Sequence, residues 1–287
     1  MVLNFMERKI IKDQIRDDER AFYGSKNASF HNIKIEGRAD GESAFKECTD
    51  IVVIDSSFKL RYPFWHNDVL ECKSIEMFDT CRAAFWYDDQ LTISNSRLMG
   101  IKALRECSNI IINDCEIDSD EFGWNCKNIK VLNTKIKSSY IFMGCSELNL
   151  HEFHLVGKYS FQYVNNCSIS DSKLDTKDAF WHSKNVIVKN SVIKGEYLAW
   201  YSENLTLINC HISGTQPLCY CKGLKLVDCT FENADLCFEY SEVNGNIKGD
   251  VLSIKNPLRG ELIIDGKTVY IKDEFDKSEG KFKLVTK

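Results

Sequence analysis

Apolar and polar positions recur along this chain with one spacing that outlasts any single secondary-structure element. Taken from an aromatic anchor, Trp65, Trp86, Arg105, Trp124, Met143, Gln162, Trp181, Trp200, Cys219 and Phe238 follow one another at 19-residue steps after a first step of 21. Lys46 stands 19 residues before Trp65, and Tyr23 heads the series 23 residues earlier still. Behind each anchor runs an apolar column (Ile110, Ile129, Leu148, Val186, Leu205), and two residues on a second (Ile112, Val131, Leu150, Val188, Leu207). That i, i+2 pairing predicts a short strand with one buried face. A third apolar column (Ile117, Ile136, Leu155, Ile193, Ile212), a column of small residues (Ser96, Cys115, Thr134, Ser172, Ser191) and an inner aromatic column (Phe45, Phe64, Phe85, Phe142, Phe161, Phe180) complete the repeat.

Polar residues punctuate these columns at fixed places. Asn109, Asn128, Asn166, Asn185 and Asn204 form one set, and Asn95, Asp114, Asn133, Asp171, Asn190, Asn209 and Asp228 a second. Asn and Asp tolerate left-handed backbone and bond to nearby main chain, which suits repeated corners. A third corner falls near Gly37, Gly100, Gly157, Gly195 and Gly214. Three short strands and three corners per turn predict an all-β, single-stranded, right-handed parallel β-helix of about twelve turns. A leucine-rich repeat places Asn three residues after a Leu, whereas "LTLINCHI" (205–212) places it two after, so that rival is rejected.

The pattern predicts three regions: an N-terminal cap (1–19), the β-helix (20–243) and a C-terminal β cap (244–287). Phe5, Ile10, Ile11 and Ile15 fit one face of a short capping helix, and "GELIIDGKTVYIKDE" reads as β-hairpins. With 44% of its 287 residues apolar, the chain fills a large core. A net charge of −5 offers no footprint for nucleic acid, and no 18-residue apolar run predicts a membrane span. The charged N-terminus has no secretory core, and the 13 cysteines fall in stacking columns, so reduced thiols and a cytoplasmic location are expected. No metal or cofactor is expected, because no C-x-x-C pair supports a soft-metal site.

Blocks such as "GESAFKEC", "LRYPFWH", "GIKALREC", "FGWNCKNI", "LDTKDAFWH" and "GEYLAWYSENLTLINC" exceed what repetition requires. Over roughly residues 20–260 the chain resembles the right-handed β-helices of the pectin-lyase-like superfamily. More closely, it looks like an uncharacterised bacterial family within it that carries a domain-of-unknown-function label. The resemblance implies the fold. It also implies a superfamily holding pectate lyases, polygalacturonases and noncatalytic members, whose N-T-D, D-D, G-H-G and R-I-K signatures this chain lacks.

Two columns do not read as core. The anchors include Trp65, Trp86, Trp124, Trp181 and Trp200, all the tryptophans of the chain. The residue after each reads His66, Tyr87, Glu106, Asn125, Gly144, Tyr163, His182, Tyr201, Tyr220 and Glu239. Aromatic rings mixed with polar groups suit sugars, and they equally stabilise a solenoid by stacking on one another. Asn125 and Gly144 leave room for a shallow cleft. Candidate catalytic groups are His66, Arg105 and Glu106, near Tyr87 and Asp88, and Asp178 and His182, near Glu196, Tyr163 and Tyr201. His–carboxylate pairs serve acid/base chemistry, and an arginine clamps a carboxylate. Candidate substrate contacts are Trp65, Trp86, Tyr87, Trp124, Tyr163, Trp181, Trp200 and Tyr201. Two functions are expected to compete: a saccharide-handling lyase or hydrolase, and a noncatalytic glycan- or protein-binding scaffold. A homodimer through a side face is one assembly open to a capped solenoid, and the sequence does not fix the oligomeric state.

Overall fold

The computed structural model describes residues 8–287 as two compact units, 1–137 and 138–287, the first described from residue 8. Both are parallel β-solenoids, with seven turns in the first and eight in the second, about fifteen in all. Each turn contributes one main strand. In the first unit these run from Lys9–Arg16 and Lys26–Ile35 through Asp89–Ser94 and Ser108–Asn113. In the second they run from Ser146–Lys158 through Glu203–Ile208 to Phe282–Thr286. Every pairing is parallel, and the register follows the sequence columns, as in Ile110↔Ile129 and Val186↔Leu205.

The corners form where Asn and Asp recur. Asn109, Asn128, Asn185 and Asn204 are left-handed, as are Asn95, Asp114, Asn190, Asn209 and Asp228. Their amides also bond from turn to turn: Asn204 Nδ2 donates to Asn185 Oδ1 at 3.1 Å and Asn209 Nδ2 to Asn190 Oδ1 at 3.0 Å. The column of small residues satisfies buried main chain. Ser172 Oγ accepts from Phe153 N–H at 3.0 Å and donates to Ser170 O at 2.6 Å, and Ser96 does the same with Ile75 N–H and Ser94 O. An apolar residue there would leave a buried N–H unpaired, a loss of about 1–3 kcal/mol. Cysteine substitutes in these columns, and all thirteen thiols are free and buried. Inside, phenylalanines stack face to face: Phe64 on Phe85 at 4.9 Å and Phe161 on Phe180 at 4.8 Å.

Three expectations need correction. The turns exceed twelve because the coil takes in both regions read as caps. Residues Lys9–Arg16 are a strand paired in parallel with Lys26–Ile35, and no helix exists among the described residues. Ile10 and Ile15 are 64% and 65% exposed, so they share no buried helical face, and the open edge of the next strand takes the segment as one more turn. Phe5 lies outside the described residues. The C-terminal segment forms no hairpin: Gly260–Asp265 pairs in parallel with Val243–Lys248 and with Phe282–Thr286. Its period changes, with Gly245 opposite Leu262 and Gly260 opposite Phe282, which hid the continuing coil from a fixed-period reading. Among the described residues no helix is long and apolar enough to cross a membrane.

Candidate functional site

The column after the anchors is a corner, and its residues are left-handed whatever their type: His66, Tyr87, Glu106, Asn125, Tyr163, His182, Tyr201 and Tyr220 all have φ between 53° and 62°. Tyr, His and Glu at positive φ each cost on the order of 1–2 kcal/mol. Ring stacking offsets part of that cost, about 0.5–1.5 kcal/mol per pair. Because the corner repeats every turn, the side chains form a ladder on the outer surface.

In the second unit the ladder is continuous. Tyr163 stacks on His182 at 5.2 Å, His182 on Tyr201 at 5.0 Å and Tyr201 on Tyr220 at 4.7 Å, with interplanar angles of 3°, 6° and 13°. Tyr240 continues it at 5.9 Å, taking the place expected of Glu239, because the coil gains a residue there. Tyr163 is 55% exposed and Tyr201 44%. Faces are spent on neighbours, so the ladder shows solvent its edges. Tyr240 donates its hydroxyl to Phe275 O and carries Lys277 over its ring at 4.7 Å, which closes that end. The anchors beside it pair too: Trp181 lies on Trp200 at 5.4 Å, and their indole N–H groups donate to Tyr197 O and Gln216 O. Asp178 is buried at the preceding corner, where desolvation raises its carboxyl pKa, Lys177 opposes the shift and Glu196 reinforces it.

In the first unit the ladder is short. His66 stacks on Tyr87 at 4.9 Å, and the next turn offers Glu106, which accepts from Asn125 Nδ2 at 2.8 Å. Tyr87 therefore occupies the turn between His66 and Glu106, which do not form a bonded pair. Trp65 stacks on Trp86 at 5.2 Å, and the Arg105 guanidinium sits over Trp86 and Trp124 at 5.8 and 4.8 Å. Arg105 is thus a rung in the anchor column, 3.9 Å from Glu121. Asp88 points inward. It is 1% exposed; Oδ1 accepts from Asn67 N–H and Nδ2 at 2.8 and 2.9 Å, and Oδ2 has no partner. Burial pushes its pKa up to about 8 against the opposing pull of the Asn67 bonds. The sequence placed Asp88 beside His66 and Glu106, but i, i+1 alternation at the corner turns it to the core.

Two further histidines were missed by the column reading. His211 bonds Thr230 Oγ1 through Nδ1 at 2.9 Å and Glu232 through Nε2 at 3.1 Å. His151 bonds Ser170 Oγ through Nδ1 at 2.9 Å. Their signal was turn-to-turn spacing to a hydroxyl 19 residues on, and their ring nitrogens are engaged by protein groups.

The coil and its exposed corner ladder define a parallel β-solenoid protein with an aromatic outer edge. Residues 9–285 match the family described as Protein of unknown function (DUF3737), and the chain belongs to that family. Among curated proteins none matches it. Solved structures similar to it include the catalytic domain of a GH87 alpha-1,3-glucanase in complex with nigerose, at 8% identity over 98% of this chain and 68% of that one, TM-score 0.44. The Azotobacter vinelandii mannuronan C-5 epimerase AlgE6 A-module aligns at 11% over 92% and 91%, TM-score 0.36. A tailspike protein mutant of E. coli bacteriophage HK620 in complex with pentasaccharide aligns at 7% over 96% and 70%, TM-score 0.37. Likeness at this level concerns the coil alone.

Proposed function

We propose that this protein handles saccharides on the corner ladder of its second unit. The observation that carries the reading is the state of the polar heads there. Among the described residues, the hydroxyls of Tyr163, Tyr201 and Tyr220 and the imidazole nitrogens of His182 hydrogen-bond to no protein group. Some comparable groups elsewhere are spent: Tyr23 on Glu47, Tyr240 on Phe275, His151 on Ser170, His211 on Thr230 and Glu232. Others such as His66 and Tyr87 are not, but only here do four such groups follow one another on consecutive turns among the described residues. The ladder thus offers a line of hydrogen-bonding groups one turn apart, matched to a hydroxyl-rich extended ligand. Stacking accounts for the rings, and the unbroken line of exposed heads is what adds a place for a ligand.

Binding comes first in this reading and catalysis second. His66 and Glu106 are separated by Tyr87, which weighs against that acid/base pair. The second unit keeps one candidate, Asp178, whose burial favours the protonated form a general acid requires, with His182 on the adjoining corner. The thirteen free thiols favour a reducing, cytoplasmic setting. A glycan array with thermal-shift measurements from pH 5 to 8 tests the reading. At least one saccharide should raise the melting temperature of the intact chain, and His182→Ala with Tyr201→Ala should remove the shift. Turnover that disappears in Asp178→Asn would add catalysis; no shift with any saccharide would leave a protein-binding scaffold.

A further inference from the structure

A face-to-face ladder hides its ring faces, so a sugar can stack only where a rung is missing. In the second unit that place is Gly144, which occupies the left-handed corner one turn before Tyr163, with φ 70°, and brings no side chain. His182 is covered on both faces by Tyr163 and Tyr201, and Tyr201 by His182 and Tyr220. At the far end Lys277 lies over Tyr240. Tyr163 has His182 on one face, and among the described residues no other ring or cation contacts it. It is also the most exposed of these tyrosines, at 55% against 44% for Tyr201. At a rung spacing of 4.7 to 5.2 Å, the position a side chain at Gly144 would take lies one ring's thickness from the free face of Tyr163.

The polar surroundings of that position narrow the class of ligand. Asn165 stands two residues after Tyr163 in the same turn, and its Oδ1 accepts from Asn185 Nδ2 of the following turn at 3.0 Å. The amide nitrogen donates to no protein group among the described residues, and Asn165 pairs across the strands with Ser146, two residues after Gly144. Lys184, opposite Asn165 in the following turn, is held by Glu203 at 3.3 Å. An open aromatic face beside an amide donor, with the neighbouring Lys184 already paired, fits a ring with an apolar C–H face and hydroxyl rims.

We propose that Tyr163, Gly144 and Asn165 form a single stacking subsite for a neutral hexopyranose, with the ring taking the place of the missing rung. This rests on the saccharide reading of the ladder and assigns the ring that determines specificity. An extended glycan meets the remaining rungs at their edges, so ring stacking occurs once.

The test uses Gly144→Tyr. Tyrosine already occupies this corner at φ 59° in Tyr163 and 62° in Tyr201, so the variant should fold and extend the ladder while filling that position. Methyl β-D-glucopyranoside, methyl β-D-galactopyranoside, cellobiose and glucuronic acid serve as probes, read by saturation-transfer NMR and titration on the intact chain. At least one neutral probe should bind the wild type more tightly than glucuronic acid. Its affinity should fall at least tenfold in Gly144→Tyr and in Tyr163→Ala, with far-ultraviolet circular dichroism unchanged. Should Gly144→Tyr misfold, Tyr163→Ala and Asn165→Ala decide alone. Glycan binding that survives these changes but is lost in His182→Ala with Tyr201→Ala would overturn the subsite and leave the ladder reading standing. No binding of any mono- or oligosaccharide would overturn both, and preference for glucuronic acid would overturn the neutral class.

Discussion

The two units place the same corner under different loads. In the second, Tyr163, His182, Tyr201 and Tyr220 form an unbroken stack, and the residues two before them, Phe161, Phe180, Ala199 and Leu218, are left-handed as well. In the first, the inner aromatic and its anchor remain extended: Phe64–Trp65 and Phe85–Trp86 are strands in a four-stranded parallel sheet, and the corner ladder has two rings before Glu106 interrupts it. Both units hydrogen-bond this side from turn to turn, Phe64 N–H to Ala84 O at 2.9 Å in the first and His182 N–H to Trp200 O at 3.0 Å in the second. The first does so with extended backbone and the second with alternating left-handed residues. A repeat can therefore keep its period and its turn-to-turn hydrogen bonds while changing the backbone that carries them, and the longer aromatic edge belongs to the unit with the left-handed turns.

The largest expected difference lies beneath the corner. Asp88 in the first unit and Ser183 in the second occupy the same inward column, and both have a buried oxygen without a partner. With its pKa near 8 in the fold against 3.8 ordinarily, Asp88 stays protonated in the native state where the unfolded chain has ionised. The native state then binds the extra proton, so stability falls as pH rises from about 4 to about 8, by on the order of 5 kcal/mol. Asp88→Asn should flatten that slope and raise the melting temperature most at pH 8. Denaturant titrations across pH 4–8 measure it; a slope unchanged in Asp88→Asn would assign the pH dependence elsewhere. Ser183→Ala, with no charge to lose, should leave the slope as it was.

A smaller contrast separates the two histidines of the ladder. His182 has a tyrosine on each face, and His66 has Tyr87 at 4.9 Å and Trp65 at a looser 6.4 Å. At about 0.5–1.5 kcal/mol per stacked pair, His182→Ala should destabilise by about 1–3 kcal/mol, roughly twice the effect of His66→Ala. Equal effects in urea titrations would mean the continuous stack adds nothing beyond its separate pairs.

Much of this was legible in the column pattern because a solenoid stacks like on like. Ile110 over Ile129, Asn185 beneath Asn204 and Phe64 on Phe85 each follow from residues 19 or 21 apart. What escaped was set by local backbone or by edges. The left-handed conformation of Tyr87 and Tyr201 has no signal in residue type, since tyrosine rarely adopts it, and the repeated corner imposes it. Asp88 looked like part of a surface cluster because a corner sends consecutive side chains to opposite sides. The terminal turns escaped because an open strand edge outweighs the local preference for a helix at Lys9–Arg16 and for a hairpin near Asp265.

The finest contrast is in the anchor tryptophans, which share a column but not a hydrogen bond. Trp181 donates Nε1–H to Tyr197 O at 2.7 Å and Trp200 to Gln216 O at 2.8 Å, each reaching a carbonyl 16 residues ahead. The equivalent carbonyl for Trp86 is that of Lys102, yet Trp86 Nε1 is buried without a partner. Its ring is clamped between Trp65 and the Arg105 guanidinium, and that clamp fixes the plane. Replacing the indole by phenyl removes an N–H that is satisfied in one case and orphaned in the other. Trp181→Phe should therefore cost about 1 kcal/mol more than Trp86→Phe, the net worth of one hydrogen bond. Paired urea titrations of the two variants give the difference directly. If Trp86→Phe is the more damaging, ring area lost from the Trp65–Arg105 clamp outweighs hydrogen bonding, and the anchor column of the first unit is fixed chiefly by that clamp.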